Sequence, residues 1–178
     1  MKFIKTEIEG LIILEPTIFR DDRGMFMETF NTRSFQVNGI EVNFVQDNQS
    51  HSQKGVIRGL HFQKEPHAQG KLVRVIAGAA LDVVVDIRSR SSTFGKSFSI
   101  ELNAENKKML WIPPGFAHGF ESLEDNTIFT YKVSQYYNKE SEAGILYNDP
   151  ELGIKWRTKN PIVSDKDMEL SGLKKIEI

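Results

Sequence analysis

The sequence contains no cysteine, which excludes a disulfide framework, a thiolate zinc site and a cysteine nucleophile. Charge of one sign is not in excess either, because 23 Lys and Arg residues stand against 24 Asp and Glu residues. Such a balanced chain offers no broad electrostatic surface for nucleic acid or for an anionic membrane. Any anion that the protein binds must therefore be bound by a few charged or hydrogen-bonding groups at its own site.

Long hydrophobic runs are also missing. Residues 1–7 lack the apolar stretch of a signal peptide, and the longest uncharged run, residues 109–120, contains Pro113 and Pro114 and is too short to span a bilayer. We therefore expect a cytoplasmic protein with no membrane partner and no nucleic-acid partner.

The 178 residues are enough for one domain with a sizeable core, and we expect a single domain over residues 1–178. Short alternating or apolar segments follow one another at close spacing, separated by Gly and Pro turns, and little of the chain has helical periodicity. The exceptions are residues 31–40, where Asn31 or Thr32 can cap a helix and Gly39 can end it, and a short helix opening at Ser164. This pattern predicts an all-β, antiparallel jelly-roll sandwich or barrel with short C-terminal helices.

Polar groups are concentrated on two neighbouring strand segments, Arg58-Gly59-Leu60-His61-Phe62-Gln63 and Gln69-Gly70-Lys71-Leu72-Val73-Arg74. A sheet rarely carries a guanidinium, an imidazole and an ammonium so close together for packing alone, since each would need pairing if it pointed inward. The two segments therefore predict a site. Arg58 and His61 have opposite strand parity, so both can face one pocket only if Gly59 permits a bulge or twist, or if one of the two side chains reaches around the strand.

Two chemistries are open at such a site. The histidines His51, His61, His67 and His118 could hold a divalent metal, but metal-binding cupins carry a His-x-His pair where this chain has His61-Phe62-Gln63, and we expect no metal. Metal-free acid–base chemistry needs a base, an acid and an oxyanion holder, for which His61, Tyr131 and Lys71 are suited.

Structural explanations stay open beside these roles. Ser164 and Asp167 have the spacing of a capping box. Tyr131 could be a core residue whose hydroxyl reaches solvent, and Lys71 could be a strand residue whose aliphatic part is buried while its ammonium reaches solvent. Gln46 and Asn48 share a strand face, where their amides could bind a neutral heterocycle or sugar, or simply mark a sheet edge.

Seven motifs in order and spacing resemble the dTDP-4-dehydrorhamnose 3,5-epimerase family, cupin-fold enzymes that act on sugar nucleotides. They are Asp22-Arg23-Gly24-x-Phe26-x-Glu28, Phe44-Val45-Gln46-Asp47-Asn48, Arg58 to Gln63, Gln69 to Arg74, Asp82 to Arg88, Trp111 to Phe120, and Tyr131-Lys132. The chain departs from the family pattern at Arg157, where we expect proline after Trp156.

The resemblance implies roles for individual residues. His61 would be the general base with Asp167 as its dyad partner, Tyr131 the general acid, and Lys71 the group that stabilises the enolate at the C4 oxygen. The positions implied for substrate binding are Arg23, Glu28, Gln46, Asp47, Asn48, Arg58, Asp82, His118, Tyr137, Glu142 and Lys166. No cofactor is implied, and the partners are a dTDP-sugar substrate and a second copy in a homodimer, with Arg23 and Glu28 reaching the other subunit's pocket. An epimerase acting on one carbon only and a non-catalytic carbohydrate-binding jelly roll remain as alternatives.

Overall fold

A computed structural model describes residues 1–176, and almost all of its regular structure is antiparallel β-sheet. The strands are β1 Lys2–Lys5, β2 Ile12–Glu15, β3 Ile18–Asp21, β4 Gly24–Met27, β5 Gln46–Ser52, β6 Ile57–Gln63, β7 Lys71–Ala77, β8 Ala79–Asp86, β9 Ser97–Asn103, β10 Met109–Ile112, β11 Phe116–Ser122, β12 Thr127–Val133 and β13 Glu142–Gly144. The α-helices are α1 Thr32–Val37 and α2 Asp165–Met168, and short 3₁₀ turns cover Pro150–Leu152 and Leu173–Lys175.

The strands form two main sheets and one ribbon. The six-stranded sheet has the order β1-β2-β10-β7-β12-β5, the five-stranded sheet has the order β13-β6-β11-β8-β9, and β3 with β4 makes a separate two-stranded ribbon. A buried apolar cluster joins the sheets, with Val73 from β7, Phe129 from β12, Val84 from β8 and Phe120 from β11. The predicted jelly-roll fold with short C-terminal helices is confirmed.

Helix α1 forms where the sequence predicts it. The Asn31 side chain accepts a hydrogen bond from the Ser34 backbone at 3.1 Å, which caps the N-terminus. Gly39 follows with a positive φ of +76°, as at many helix C-termini. Strand β12 ends at Val133, and the Ser134 N–H still donates to Gly70 O at 3.0 Å, in register with the pairing of β12 and β7.

A bulge on β6 resolves the parity conflict between Arg58 and His61. His61 pairs with His118 and Arg58 pairs with Phe120, so β6 advances three residues while β11 advances two. The irregularity includes Gly59, which has φ +112° and whose missing Cβ would lie 2.6 Å from the His118 carbonyl oxygen. Only glycine fits both the conformation and the space. Of the arrangements that would let both side chains face one pocket, the structure has the bulge.

The segment after β13 is anchored to the five-stranded sheet. Trp156 packs on its apolar face and donates through Nε1 to Tyr147 O at 2.8 Å. The Arg157 N–H donates at 2.6 Å to the carboxylate of Glu121, which is buried. Proline, which has no N–H, could not make this bond. These contacts carry the chain to α2, beside β6. No helix among residues 1–176 is long and apolar enough to cross a membrane.

Candidate active site

A histidine–aspartate pair joins the centre of β6 to the C-terminal helix α2. His61 Nε2 lies 2.7 Å from Asp167 Oδ1, and the Gly59 N–H donates to the other carboxylate oxygen at 3.2 Å. Burial alone would raise the pKa of Asp167, but the hydrogen bonds from His61, Gly59 and Ser164 outweigh it and the pKa lies below its usual range. The carboxylate is thus held ionised and aimed at the imidazole.

Ser164 caps α2 in addition to the contact between Asp167 and His61. Ser164 Oγ accepts from the Asp167 backbone N–H at 3.2 Å and caps α2. The Asp167 carboxylate, only 4% exposed, is directed instead to His61. The capping interpretation is therefore right for Ser164 and does not account for the Asp167 side chain.

Lys71 begins β7 on the opposite sheet and points into the same space. Its side chain is buried, with Nζ 3.4 Å from the His61 carbonyl oxygen. Burial lowers the pKa of Lys71 to about 8, and the charge of Asp82 opposes that effect. A buried ammonium with one long hydrogen bond has donors left for a substrate oxygen.

Tyr131 lies on β12, in the same sheet as Lys71. Burial raises its pKa, and the nearby charge of Arg58 partly opposes the rise. The phenol is therefore neutral near pH 7 and can donate a proton. His61 and Tyr131 come from different sheets and line one cavity of about 660 Å³.

A smaller cavity of about 200 Å³ adjoins the first and shares His61, Lys71 and Tyr131 with it. Gln46 and Asn48 line it from β5, joined by a hydrogen bond of 2.8 Å. Because the two cavities share His61, Lys71 and Tyr131, we treat them together as one cleft between the sheets. It is lined by neutral amides at one end and by the acid–base groups in the middle.

Three predicted binding residues form a hydrogen-bonded set at the rim of this cleft. Tyr137 donates through its hydroxyl to Glu142 at 2.8 Å, and Lys166 lies 2.6 Å from the other oxygen of that carboxylate. Burial raises the pKa of Glu142, but its bonds to Lys166 and Tyr137 bring it below the usual range. The neighbouring Tyr136 lines neither cavity, so Tyr137 is the tyrosine that faces the cleft.

A second histidine–aspartate pair, His118 and Asp82, lies at the floor of the cleft. His118 Nε2 lies 2.8 Å from Asp82 Oδ2, and His118 lines the larger cavity. Asp82 has no exposed surface and lies behind His118. Its other oxygen has no hydrogen-bond partner among residues 1–176. The structure thus places His118 at the cavity and Asp82 beneath it.

Three predicted binding residues do not reach the cleft within one chain. Asp47 has the opposite parity to Asn48 on β5 and pairs instead with Lys132 at 2.9 Å, beside a third cavity of about 370 Å³ that His61 and Lys71 do not line. Arg23 pairs with Asp21 in the exposed ribbon, and Glu28 accepts from Asn31 at 2.9 Å. Direct contact of these residues with a ligand in this cleft is not supported within the chain.

Comparison with known proteins identifies the family. The model of the dTDP-4-dehydrorhamnose 3,5-epimerase family matches residues 5–175. The chain belongs to this family.

Relatives and solved structures agree with this assignment. The dTDP-4-dehydrorhamnose 3,5-epimerase of Shigella flexneri is 54% identical over 169 residues, covering 94% of this chain and 93% of the relative. The crystal structure of a 3,5-epimerase from Legionella pneumophila in complex with dTDP-4-keto-L-rhamnose superposes with TM-score 0.95 at 47% identity, covering 99% and 94% of the two chains. A 3'-monoepimerase from Streptomyces bikiniensis, solved with dTDP-quinovose, has TM-score 0.90 at 35% identity, with coverage of 95% and 86%.

The sequence patterns did not predict several of the residues that line the cleft. Ser50 continues the face of Gln46 and Asn48 along β5 and lines the larger cavity, so its parity could have revealed it. Phe120 and Phe129 stack there at 4.2 Å, in a pattern that also fits core packing. The wall residues Ile162 and Val163 carry no signal in the sequence, because their position depends on how the C-terminal segment folds back.

Gln63 occupies the position where metal-binding cupins have a second histidine. Its amide nitrogen donates to His67 O at 2.7 Å and to Tyr136 O at 3.1 Å, while its oxygen accepts from the Asn138 N–H at 2.7 Å. The side chain therefore fastens two loops beside the cleft. Within residues 1–176, no cluster of three or more His, Asp or Glu side chains is arranged to hold a metal ion.

Proposed function

We propose that this chain epimerises C3 and C5 of dTDP-4-dehydro-6-deoxy-D-glucose to give dTDP-4-dehydro-L-rhamnose, in dTDP-L-rhamnose biosynthesis. One domain would carry the whole reaction, without a cofactor. The observation that carries the proposal is the His61–Asp167 pair at 2.7 Å, with Lys71 and Tyr131 around the same cavity. Family membership points to the same reaction.

The contacts of His61 and Lys71 support the first half of the proposed proton transfer. The 4-keto group acidifies the hydrogens on C3 and C5, and His61 removes one of them as general base. Asp167 fixes the orientation of the imidazole and stabilises the imidazolium that forms. The electron pair moves to the C4 oxygen, where the Lys71 ammonium offsets the enolate charge.

Inversion requires the new proton to arrive from the other face of the sugar. Tyr131 stands on the opposite sheet from His61 and is held neutral by burial, so it can donate. His61 loses its proton to solvent and Tyr131 regains one, which returns the site to its starting state. The same cycle at the second carbon completes the double epimerisation.

The nucleotide part of the substrate would occupy the polar end of the cleft. Gln46 and Asn48 present neutral amides, and the exposed guanidinium of Arg58 beside them suits the diphosphate. Tyr137, held by Glu142, offers a ring for stacking against the base. Binding energy from these remote contacts can be used at the reacting carbons.

A homodimer would complete the site. The β3–β4 ribbon is a two-stranded unit whose Phe19 and Phe26 are 60% and 69% exposed, and such ribbons are marginally stable alone. Placed against a second copy, the ribbon would bury these rings and bring Arg23 and Glu28 toward that copy's cleft. Sedimentation measurements should give a dimer, and a monomer would contradict this arrangement. Action in the cytoplasm stays a prediction from the sequence.

An epimerase acting on one carbon is the second candidate. The Streptomyces bikiniensis 3'-monoepimerase shares the fold at TM-score 0.90, so architecture alone does not separate the two activities. The difference would lie in substrate pose and in delivery of the second proton.

Proton NMR of the 4-keto-6-deoxy sugar nucleotide in deuterated water tests the proposal. We expect deuterium at both C3 and C5. Deuterium at C3 alone would favour the monoepimerase, and binding with no exchange would favour a carbohydrate-binding module. Treatment with a chelator should leave the rate unchanged, and loss of activity would reopen the metal hypothesis.

The matched variants are His61→Asn and His51→Asn. His61→Asn should abolish exchange at both carbons, since it removes the base. His51 contacts Asn126 at the surface and lines neither part of the cleft, so the same substitution there should keep the wild-type rate. Persistent exchange in His61→Asn would remove His61 from its role.

A further inference from the structure

Gln63 is a buried amide that none of the proposed steps uses. It lies on β6, two residues after His61, and is 8% exposed. Its nitrogen donates to His67 O and to Tyr136 O, and its oxygen accepts from the Asn138 N–H. A side-chain amide has two N–H donors, and both are used within the chain. Gln63 also lines the smaller cavity, but it has no donor left for a ligand.

Two of these hydrogen bonds fall on the peptide units that border Tyr137. The Tyr136 carbonyl, at 3.1 Å, belongs to the peptide unit before Tyr137, and the Asn138 N–H, at 2.7 Å, belongs to the unit after it. Peptide units are planar, so φ and ψ of Tyr137 are the soft dihedrals between them. By holding both units, the Gln63 amide fixes both dihedrals, and with them the direction in which the Tyr137 side chain leaves the backbone.

The loop that carries Tyr137 has little else to order it. Residues 134–138 belong to no helix or strand, and Tyr137 is 55% exposed. Its N–H donates to Gln46 at 3.3 Å and its hydroxyl donates to Glu142 at 2.8 Å, and both of these bonds are exposed to solvent. The bonds from Gln63 are partly buried, so water competes with them less.

We infer that Gln63 is a positioning residue that holds Tyr137 in the conformation that meets the nucleotide, so that the loop is ordered before the ligand arrives. The inference rests on the proposed function, in which Tyr137 stacks against the base. A loop that is already ordered avoids the entropy cost of fixing its backbone on binding. The histidine of metal-binding cupins could not replace the amide here, because an imidazole has two ring nitrogens for three bonds.

The first test is the affinity of Gln63→Met for dTDP, measured by isothermal titration calorimetry. Methionine keeps the length of the side chain and removes its three hydrogen bonds. Binding should weaken by about tenfold, the cost of ordering about one residue on binding, and KM should rise in step. The bonds of Gln63 involve neither His61 nor Asp167, so kcat should stay within about twofold of the wild type. An unchanged affinity, or a fall in kcat alone, would overturn the inference.

A double variant tests whether Gln63 acts through Tyr137. In a Tyr137→Ala background, Gln63→Met should weaken dTDP binding by less than about twofold more, because residues in one network have non-additive effects. A further loss of about tenfold would mean that Gln63 acts on the nucleotide independently of Tyr137, which contradicts the inference.

NMR relaxation of the free protein gives a second measurement, without ligand or turnover. The backbone order parameter of Tyr137 should be about 0.85 in the wild type and fall below about 0.6 in Gln63→Met. If Gln63→Met does not fold, Gln63→Glu takes its place. Glutamate keeps an acceptor for the Asn138 N–H, but its ionised carboxylate repels the two carbonyl oxygens. If Tyr137 stays as rigid as in the wild type, the inference fails.

Asn106→Leu is the matched control. Asn106 fastens the loop between β9 and β10 with its amide, which donates to Glu101 O at 2.9 Å and accepts from the Lys108 N–H at 3.0 Å. It lines neither part of the cleft. This variant should keep the wild-type affinity for dTDP and the order parameter of Tyr137, and an equal loss in both variants would contradict a specific action of Gln63. Absence of deuterium exchange in the wild type would instead overturn the proposed function, so the two failures are distinguishable.

Discussion

The bulge at Gly59 gives the sharpest test of how the fold builds the site. In Gly59→Ala the new Cβ would lie 2.6 Å from His118 O and 2.7 Å from Gly119 Cα, on a backbone with φ +112°. Both contacts are with backbone atoms, so no side chain can rotate away. Backbone strain of about 1–3 kcal/mol and overpacking of about 1–3 kcal/mol add to about 2–6 kcal/mol. Total stabilities are about 5–15 kcal/mol, so the loss is large.

The variant should lose activity as well as stability. Relief of the clash moves β6 away from β11 and displaces His61 from Asp167. A displacement of about 1 Å can cost about 100-fold in rate. Urea unfolding gives the change in the free energy of unfolding, and the exchange assay below the transition gives kcat.

Two glycines serve as controls. Gly24 has φ +124° and Gly39 has φ +76°, and a Cβ at either would have no heavy atom within 4 Å. Alanine at these positions should cost only the backbone strain, about 1–3 kcal/mol, and Gly39 lies outside the ribbon proposed to contact a second copy. If Gly59→Ala is as stable as these variants and keeps the wild-type kcat, the bulge does not position the site as we argue.

Other consequences can be measured separately. Arg157→Pro leaves the buried Glu121 without its N–H donor and should lower the free energy of unfolding in urea by about 1–3 kcal/mol. Arg157→Ala keeps the N–H and should lower it by less than about 1 kcal/mol. Equal decreases in the two variants would refute the role of the N–H. Tyr137→Phe removes the hydrogen bond to Glu142 and should raise KM with kcat nearly unchanged; a fall in kcat alone would place Tyr137 in the chemistry. Wild-type kcat/KM should decline above about pH 8 as the Lys71 ammonium, with its pKa of about 8, loses its proton. In Lys71→Arg the decline should disappear even if the rate is lower, because the guanidinium stays charged.

Local patterns in the sequence predict much of the fold. Strand alternation, Gly and Pro turns and the Asn31 cap depend on nearest neighbours along the chain, and the structure has the jelly roll and α1 that they indicate. The conflict in parity between Arg58 and His61 makes a bulge at Gly59 one of the arrangements to expect, since the side-chain period of a strand is strict, and the structure shows that it is the one adopted.

The residue types needed for the chemistry are also determined by the sequence, and family resemblance assigns their roles. The tertiary structure alone decides which of them meet. His61 and Asp167 are 106 residues apart and come together because the C-terminal segment folds back on β6. Asp47 and Asp82 carry the same carboxylate, yet one lies on the outer sheet face and the other beneath His118. Pairing between sheets depends on register and on long-range packing, neither of which a single strand pattern contains.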